Sequence, residues 1–203
     1  MKTNSKILGL KDTFEQTLKL ISLYKKSGLS LPFGLKGNLG EFSVVMELVK
    51  RFSEAKIEYY GGSFPEYDIL FNGKKIQVKT QIKTPPEKFK GGEWDFESCP
   101  TVKKSILDEK KCDALVLVIL YPNEDFSKII KTNMYVFSQD DFRYFSTKCC
   151  WSGKSKGDYT IVNILNVKGQ APLKLKAKID FYNTPKYLTI FKNAKDNWDK
   201  IKV

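Results

Sequence analysis

One fourteen-residue stretch does most to limit what this chain can fold into: Glu66-Tyr67-Asp68-Ile69-Leu70-Phe71-Asn72-Gly73-Lys74-Lys75-Ile76-Gln77-Val78-Lys79. Asn-Gly between two period-2 runs is the strongest short hairpin signal. Both turn residues of a two-residue type I′ loop need positive φ, and Asn and Gly adopt it most readily. Such a turn fixes the pairing: Phe71 faces Lys74, Ile69 faces Ile76 and Tyr67 faces Val78. These pairs make one side of the hairpin largely apolar, so it belongs on a core. The other side sets Asp68 against Gln77 and Glu66 against Lys79, with Lys79 diagonal to Asp68. Two carboxylates, an amide and an amine thus gather in one small area. That set suits a hard cation with a lysine beside it to orient water, and it equally suits an ordinary solvated cross-strand ion pair.

Around this hairpin the periodicities alternate between helix and strand. Asp12-Thr13-Phe14-Glu15 reads as a capping box, with Phe14, Leu18, Ile21 and Leu23 following at helical spacing up to Gly28. Leu29 to Asn38, with Pro32, Gly34 and Gly37, reads as a loop, and a second helix is expected from Leu39 to Glu54. Strands are expected at Ile57 to Tyr60, Tyr67 to Phe71 and Lys75 to Ile82. Thr84 to Pro100 is a long irregular segment carrying Trp94, and Val102 to Lys111 reads as a short helix. Asp113 to Leu120 is apolar on both faces and reads as a central, doubly covered strand. Met134 to Phe137 is a further strand, and Ser138-Gln139-Asp140-Asp141 caps a short helix through Phe145. The tail alternates at Tyr159 to Leu165 and Leu173 to Phe181 and closes in a helix around Ala194 to Ile201.

In the second helix Phe42, Val45, Leu48, Val49 and Phe52 form one stripe, with Ser43, Glu47, Lys50 and Arg51 opposite. Glu41 projects into the apolar stripe, where a carboxylate must be paired, protonated or bound to a cation. A first-turn acid favoured by the helix dipole is the simpler alternative. Gly37 and Gly40 just before it allow close backbone approach.

Composition narrows the chemistry. There is no histidine among the 203 residues, which removes Ser-His-Asp and Cys-His catalysis and makes Cys/His zinc sites unattractive. The four cysteines show no CxxC, and no Walker loop or GxGxxG is present. The net charge is +12, and the segment from Arg143 onward carries 13 basic against 4 acidic residues. A basic surface attracts polyanions, nucleic acid above all, although lysine also serves as a general solubiliser. The longest apolar run, Ala114 to Leu120, is too short to span a bilayer. The N-terminus leads into no apolar signal segment, so a cytoplasmic protein with no membrane partner is expected.

Taken together, Gly40-Glu41, Asp68 within Pro65-Glu66-Tyr67-Asp68, and Gln77-Val78-Lys79 resemble the PD-(D/E)XK nuclease superfamily, the fold of restriction endonucleases and Holliday-junction resolvases. Thr80 fits the Lys-Ser/Thr often found there, and the apolar strand at Asp113 to Leu120 sits where the next core strand belongs. Gln77 departs from the usual Glu, leaving Asp68, Glu41 and Glu66 to hold the metal. The resemblance implies an α/β fold, a restriction-endonuclease-like central mixed β-sheet flanked by helices on both faces. It implies a single domain over 1–203, with its core at about 37–147, an N-terminal helix and a basic C-terminal elaboration. It further implies a Mg²⁺-dependent DNA endonuclease, with Mn²⁺ as substitute. Asp68 is then the principal metal ligand, Glu41 and Gln77 contribute, and Lys79 positions the attacking water. The extra basic tail and the Trp94 segment favour a restriction-type enzyme over a junction-resolving one. A non-catalytic nucleic-acid-binding module on the same fold is the competing class. Lys83, Trp94, Lys174, Lys176 and Lys178 are the candidate DNA contacts, and two-fold assembly is expected of a double-strand cutter.

Overall fold

The computed structural model describes residues 2–30, 32, 34–61, 67–82, 101–103, 111–141, 158–160, 189–190 and 192–202. Helix α1 (Lys2–Lys26) leads to α2 (Leu35–Arg51), followed by strands β1 (Ile57–Tyr59), β2 (Ile69–Phe71), β3 (Lys74–Ile82), β4 (Thr101–Lys103), β5 (Ala114–Pro122), β6 (Ile129–Ser138) and β7 (Asp158–Thr160). A 3₁₀ helix, Trp198–Ile201, comes near the C-terminus.

Five strands make a mixed sheet in the order β1-β2-β3-β5-β6. Only β3 and β5 run parallel; the other neighbours are antiparallel. The hairpin has the register its turn dictates, with Ile69 opposite Ile76 and Phe71 opposite Lys74. Asn72 and Gly73 sit at φ 47° and 83°, as a type I′ turn requires. The Asn72 side chain adds a tie outside the hairpin, accepting 2.8 Å from the Lys56 amide. Every residue of β5 is buried, so the central, doubly covered strand is as expected.

Helix α2 packs on β3 and β5, and α1 packs on α2. The core they enclose includes Leu18, Ile21, Leu48, Ile69, Phe71, Ile76, Val78, Val116 and Val118. Burying each such side chain fully is worth about 1.5–3 kcal/mol, so this layer is the main source of stability. The general α/β class is therefore present: a five-stranded mixed sheet with helices packed against it. No helix among the described residues is long and apolar enough to cross a membrane.

Several local expectations are corrected. Helix α1 runs straight through Asp12, so there is no capping box. The Thr13 and Thr17 hydroxyls instead donate 2.7 Å back to the carbonyls of Gly9 and Thr13, inside the helix. Helix α2 begins at Leu35, inside the supposed loop, and stops at Arg51 rather than Glu54. Ser43 is not on an exposed face: it is buried, and its hydroxyl is satisfied by the Leu39 carbonyl at 2.7 Å. Val102 and Lys103 belong to β4, paired with β7, not to a helix. Strand β6 starts at Ile129, five residues before Met134. The closing segment is not one helix over Ala194 to Ile201. Helical residues end at Ala194, Lys195 bridges to Tyr135 at the sheet edge, and the 3₁₀ turn follows. Leu173 to Phe181 and most of the expected helix through Phe145 lie outside the described residues.

Candidate functional site

The ladder between β2 and β3 ends at Ile69, one residue after Asp68. Asp68 still donates its amide to the Ile76 carbonyl at 2.9 Å, and its carbonyl accepts the Tyr60 amide at 2.9 Å. Its side chain then takes over the role of a backbone acceptor: the Val78 amide donates 2.6 Å to Asp68 Oδ2. The Gln77 amide group donates to the same oxygen and also, at 3.3 Å, to the Val78 carbonyl. The Asp68 carboxylate is thereby held close to the sheet plane at the open end of the hairpin. Both hydrogen bonds fall on Oδ2.

Alternation along β3 sends Ile76 and Val78 into the core layer under α2 and turns Gln77 and Lys79 to the opposite face. Glu41 approaches from the helix side. Its position depends on close contact between α2 and β3: a Cβ on Gly40 would lie 1.8 Å from Thr80 Oγ1 and 2.8 Å from Thr80 Cβ. Only a glycine permits that approach, as expected of Gly40. Gly37 needs no such freedom, since a Cβ there would make only an ordinary 3.6 Å contact with Glu41 Oε1. Instead the Gly37 carbonyl accepts the Thr80 hydroxyl at 3.3 Å, a second tie between helix and strand. Glu41 is buried, as its place in the apolar stripe requires, and is paired: the Tyr59 hydroxyl donates 2.7 Å to Oε2.

Glu41, Asp68 and Gln77 are 7%, 5% and 4% exposed, and Lys79 is half-buried. Burial pushes the Asp68 carboxyl up to about 6. The Val78 hydrogen bond opposes that shift, the Glu41 charge reinforces it, and Lys79 and Gln77 draw it back. Asp68 therefore feels the charges of both Glu41 and Lys79. Burial, the hydrogen bond to Glu41 and the charges of Glu41 and Asp68 raise the Tyr59 phenol far above its ordinary range. The buried Cys112 thiol is pushed up to about 12, by burial first and then by Asp113; Lys79 and a hydrogen bond from the Gln77 backbone N–H act against that shift.

Asp68 and Glu41 are two buried acidic side chains linked by charge, and no group of three or more His, Cys, Asp or Glu ligands forms among the described residues. That donor set still suits Mg²⁺, which keeps several waters and commonly takes one or two protein carboxylates. Glu66, Lys83, Trp94, Lys174, Lys176 and Lys178 lie outside the described residues. Sequence reasoning missed Tyr59, which its pattern marks only as a strand residue. Its alternation on β1, with its side chain toward the face carrying Ile69, was the one available signal. Comparison of the chain with protein-family models, curated proteins and solved structures finds no match.

Proposed function

We propose that this chain is a Mg²⁺-dependent DNA endonuclease that hydrolyses phosphodiester bonds, with a restriction-type activity favoured over a junction-resolving one. The observation that carries the reading is that Glu41 and Asp68 are two buried carboxylates from different elements, and that the charges of Glu41 and Lys79 both act on Asp68. Two buried carboxylates that raise each other's cost of ionisation are relieved by a cation, even where hydrogen bonds already satisfy part of each. Asp68 and Glu41 would hold the metal, and Gln77 would orient Asp68 through its amide. When bound, Mg²⁺ supplies Lewis-acid polarisation of the scissile phosphate. Lys79 orients the attacking water and stabilises the charge that develops on the phosphoryl group. The basic excess of the chain supports a polyanionic substrate, and resemblance to the nuclease superfamily supports 5′-phosphate and 3′-hydroxyl products. Two copies would be needed to cut both strands at once.

One observation favours a second reading, a non-catalytic nucleic-acid-binding module. Gln77 donates to Asp68 and so satisfies the carboxylate much as a structural partner would. Plasmid nicking with Mg²⁺ or Mn²⁺ separates the two. The enzyme reading expects cleavage by the wild type, abolished by chelator and by Lys79→Ala. DNA binding by a wild type that never cuts would leave the binding module.

A further inference from the structure

We propose that Tyr59 is a positioning residue for the metal site: its hydroxyl holds Glu41 Oε2 so that Oε1 is the oxygen presented to a divalent cation. The inference rests on the reading of Glu41 and Asp68 as metal ligands and deepens it. Tyr59 comes from the edge strand β1, paired opposite Ile69, one residue from Asp68. Its ring packs against Phe42, the residue after Glu41, with ring centroids 5.5 Å apart and planes tilted by 56°. The phenol therefore touches α2 twice, through the ring on Phe42 and through the hydroxyl on Glu41, 2.7 Å away. Gly61 completes the fit. It sits at φ 60°, and a Cβ there would stand 3.0 Å from the Tyr59 hydroxyl oxygen, so the bend after β1 is shaped around this phenol. The Glu41 side chain has three rotatable bonds, and its other oxygen, Oε1, lies near Gly37, 3.6 Å from where a Cβ on that glycine would stand. Orienting a carboxylate by a hydrogen bond to the oxygen that does not ligate is how outer partners tune metal sites. Their loss typically costs roughly 10- to 100-fold in metal affinity.

The test is Mn²⁺ binding by the full chain, followed by isothermal titration and by the decline of the free Mn²⁺ resonance. Tyr59→Phe keeps the ring on Phe42 and removes only the hydroxyl. The expected result is a loss of Mn²⁺ affinity of roughly ten-fold or more, beside a lowered thermal midpoint for the metal-free chain because the buried Glu41 Oε2 loses its donor. In a Glu41→Ala background the same substitution should change Mn²⁺ affinity no further, a non-additivity that a merely structural tyrosine would not produce. Equal or tighter Mn²⁺ binding by Tyr59→Phe, beside a wild type that binds, would overturn the role of Tyr59 and leave the metal site standing. A wild type that binds no Mn²⁺ would overturn both.

Discussion

The Val78 amide donates to the carboxylate of Asp68 at 2.6 Å, where a regular hairpin would offer it a backbone carbonyl. A side chain that completes a β-ladder must be an acceptor, and it must stay where the strand ends. Structure and chemistry therefore act on the same atoms of Asp68: one oxygen serves the ladder, and the buried carboxylate feels the charge of Glu41.

That double role sets a pH dependence. Burial and Glu41 raise the folded Asp68 carboxyl to about 6, above its ordinary value of 3.8. Between those values the folded chain holds a proton that the unfolded chain releases, so this group's contribution to stability is greatest below pH 4 and is lost as pH rises through 6. The full effect is on the order of 3 kcal/mol. Asp68→Asn keeps an acceptor for Val78 and removes the charge. The expected outcome is a metal-free variant more stable than wild type at pH 7, with the difference vanishing near pH 4, measured by urea unfolding. Asp68→Ala should instead lose about 1–3 kcal/mol relative to Asp68→Asn at pH 7, because it leaves the Val78 amide unpaired. A wild type matching Asp68→Asn at both pH values would show that the carboxylate is not strained by its surroundings.

How far the sequence reached depended on how local each feature is. The Asn72-Gly73 turn carries its own register, so the Ile69–Ile76 pairing and the Gln77 contact to Asp68 were legible from fourteen residues. Gly40 and the buried Glu41 were legible as well, because a glycine directly before an acid in an apolar stripe marks a close approach and a buried charge together. The burial of Ser43 was not, since it depends on packing from outside α2, which no pattern within α2 encodes. Thr13 misled because a hydroxyl that caps a helix start can equally bond back to the carbonyl four residues earlier. Tyr59 escaped because its partner is eighteen residues away on another element.

The contact at Gly40 predicts an unusually sharp steric limit. Gly40→Ala, ordinarily favourable in a helix, would drive its Cβ to 1.8 Å from Thr80 Oγ1, 2.7 Å from Thr80 Cγ2 and 2.8 Å from Thr80 Cβ. The expected cost is about 1–3 kcal/mol or more, from α2 lifting off β3. Thr80→Ala should rescue little, because the Cβ clash remains, whereas Thr80→Gly should recover much of the loss. Denaturant midpoints of the three variants and the two doubles check the order. Equal rescue by both would place the strain elsewhere.

For the basic C-terminal segment, the charge excess leads to a prediction about salt. If Lys174, Lys176 and Lys178 neutralise DNA phosphates, replacing all three by glutamine should weaken binding on every sequence. It should also lower the slope of log affinity against log salt by up to roughly 3. An unchanged slope in a fluorescence titration would assign these lysines to the solvated surface.

The strongest separation of enzyme from binding module comes from Gln77→Glu, because the structure gives it opposite effects with and without metal. Gln77 now donates to Asp68, so a glutamate there puts a second carboxylate against the first. Two such groups in contact cannot both ionise without help, and one proton should be retained near neutrality. The metal-free variant is therefore expected to lose about 1–3 kcal/mol of stability at pH 7, from repulsion and the lost hydrogen bond, and less in acid. Mn²⁺ should restore it, because the added charge becomes a third acidic ligand beside Asp68 and Glu41, and Mn²⁺ affinity should exceed that of wild type. If the native site is catalytic, plasmid nicking persists in Gln77→Glu and is abolished when Lys79→Ala is added, since the water-orienting amine has gone while the ligands remain. If only Gln77→Glu nicks and the wild type does not, the site is a nuclease frame held silent by its glutamine. A variant with wild-type stability and no gain in Mn²⁺ affinity would remove the metal from this site altogether.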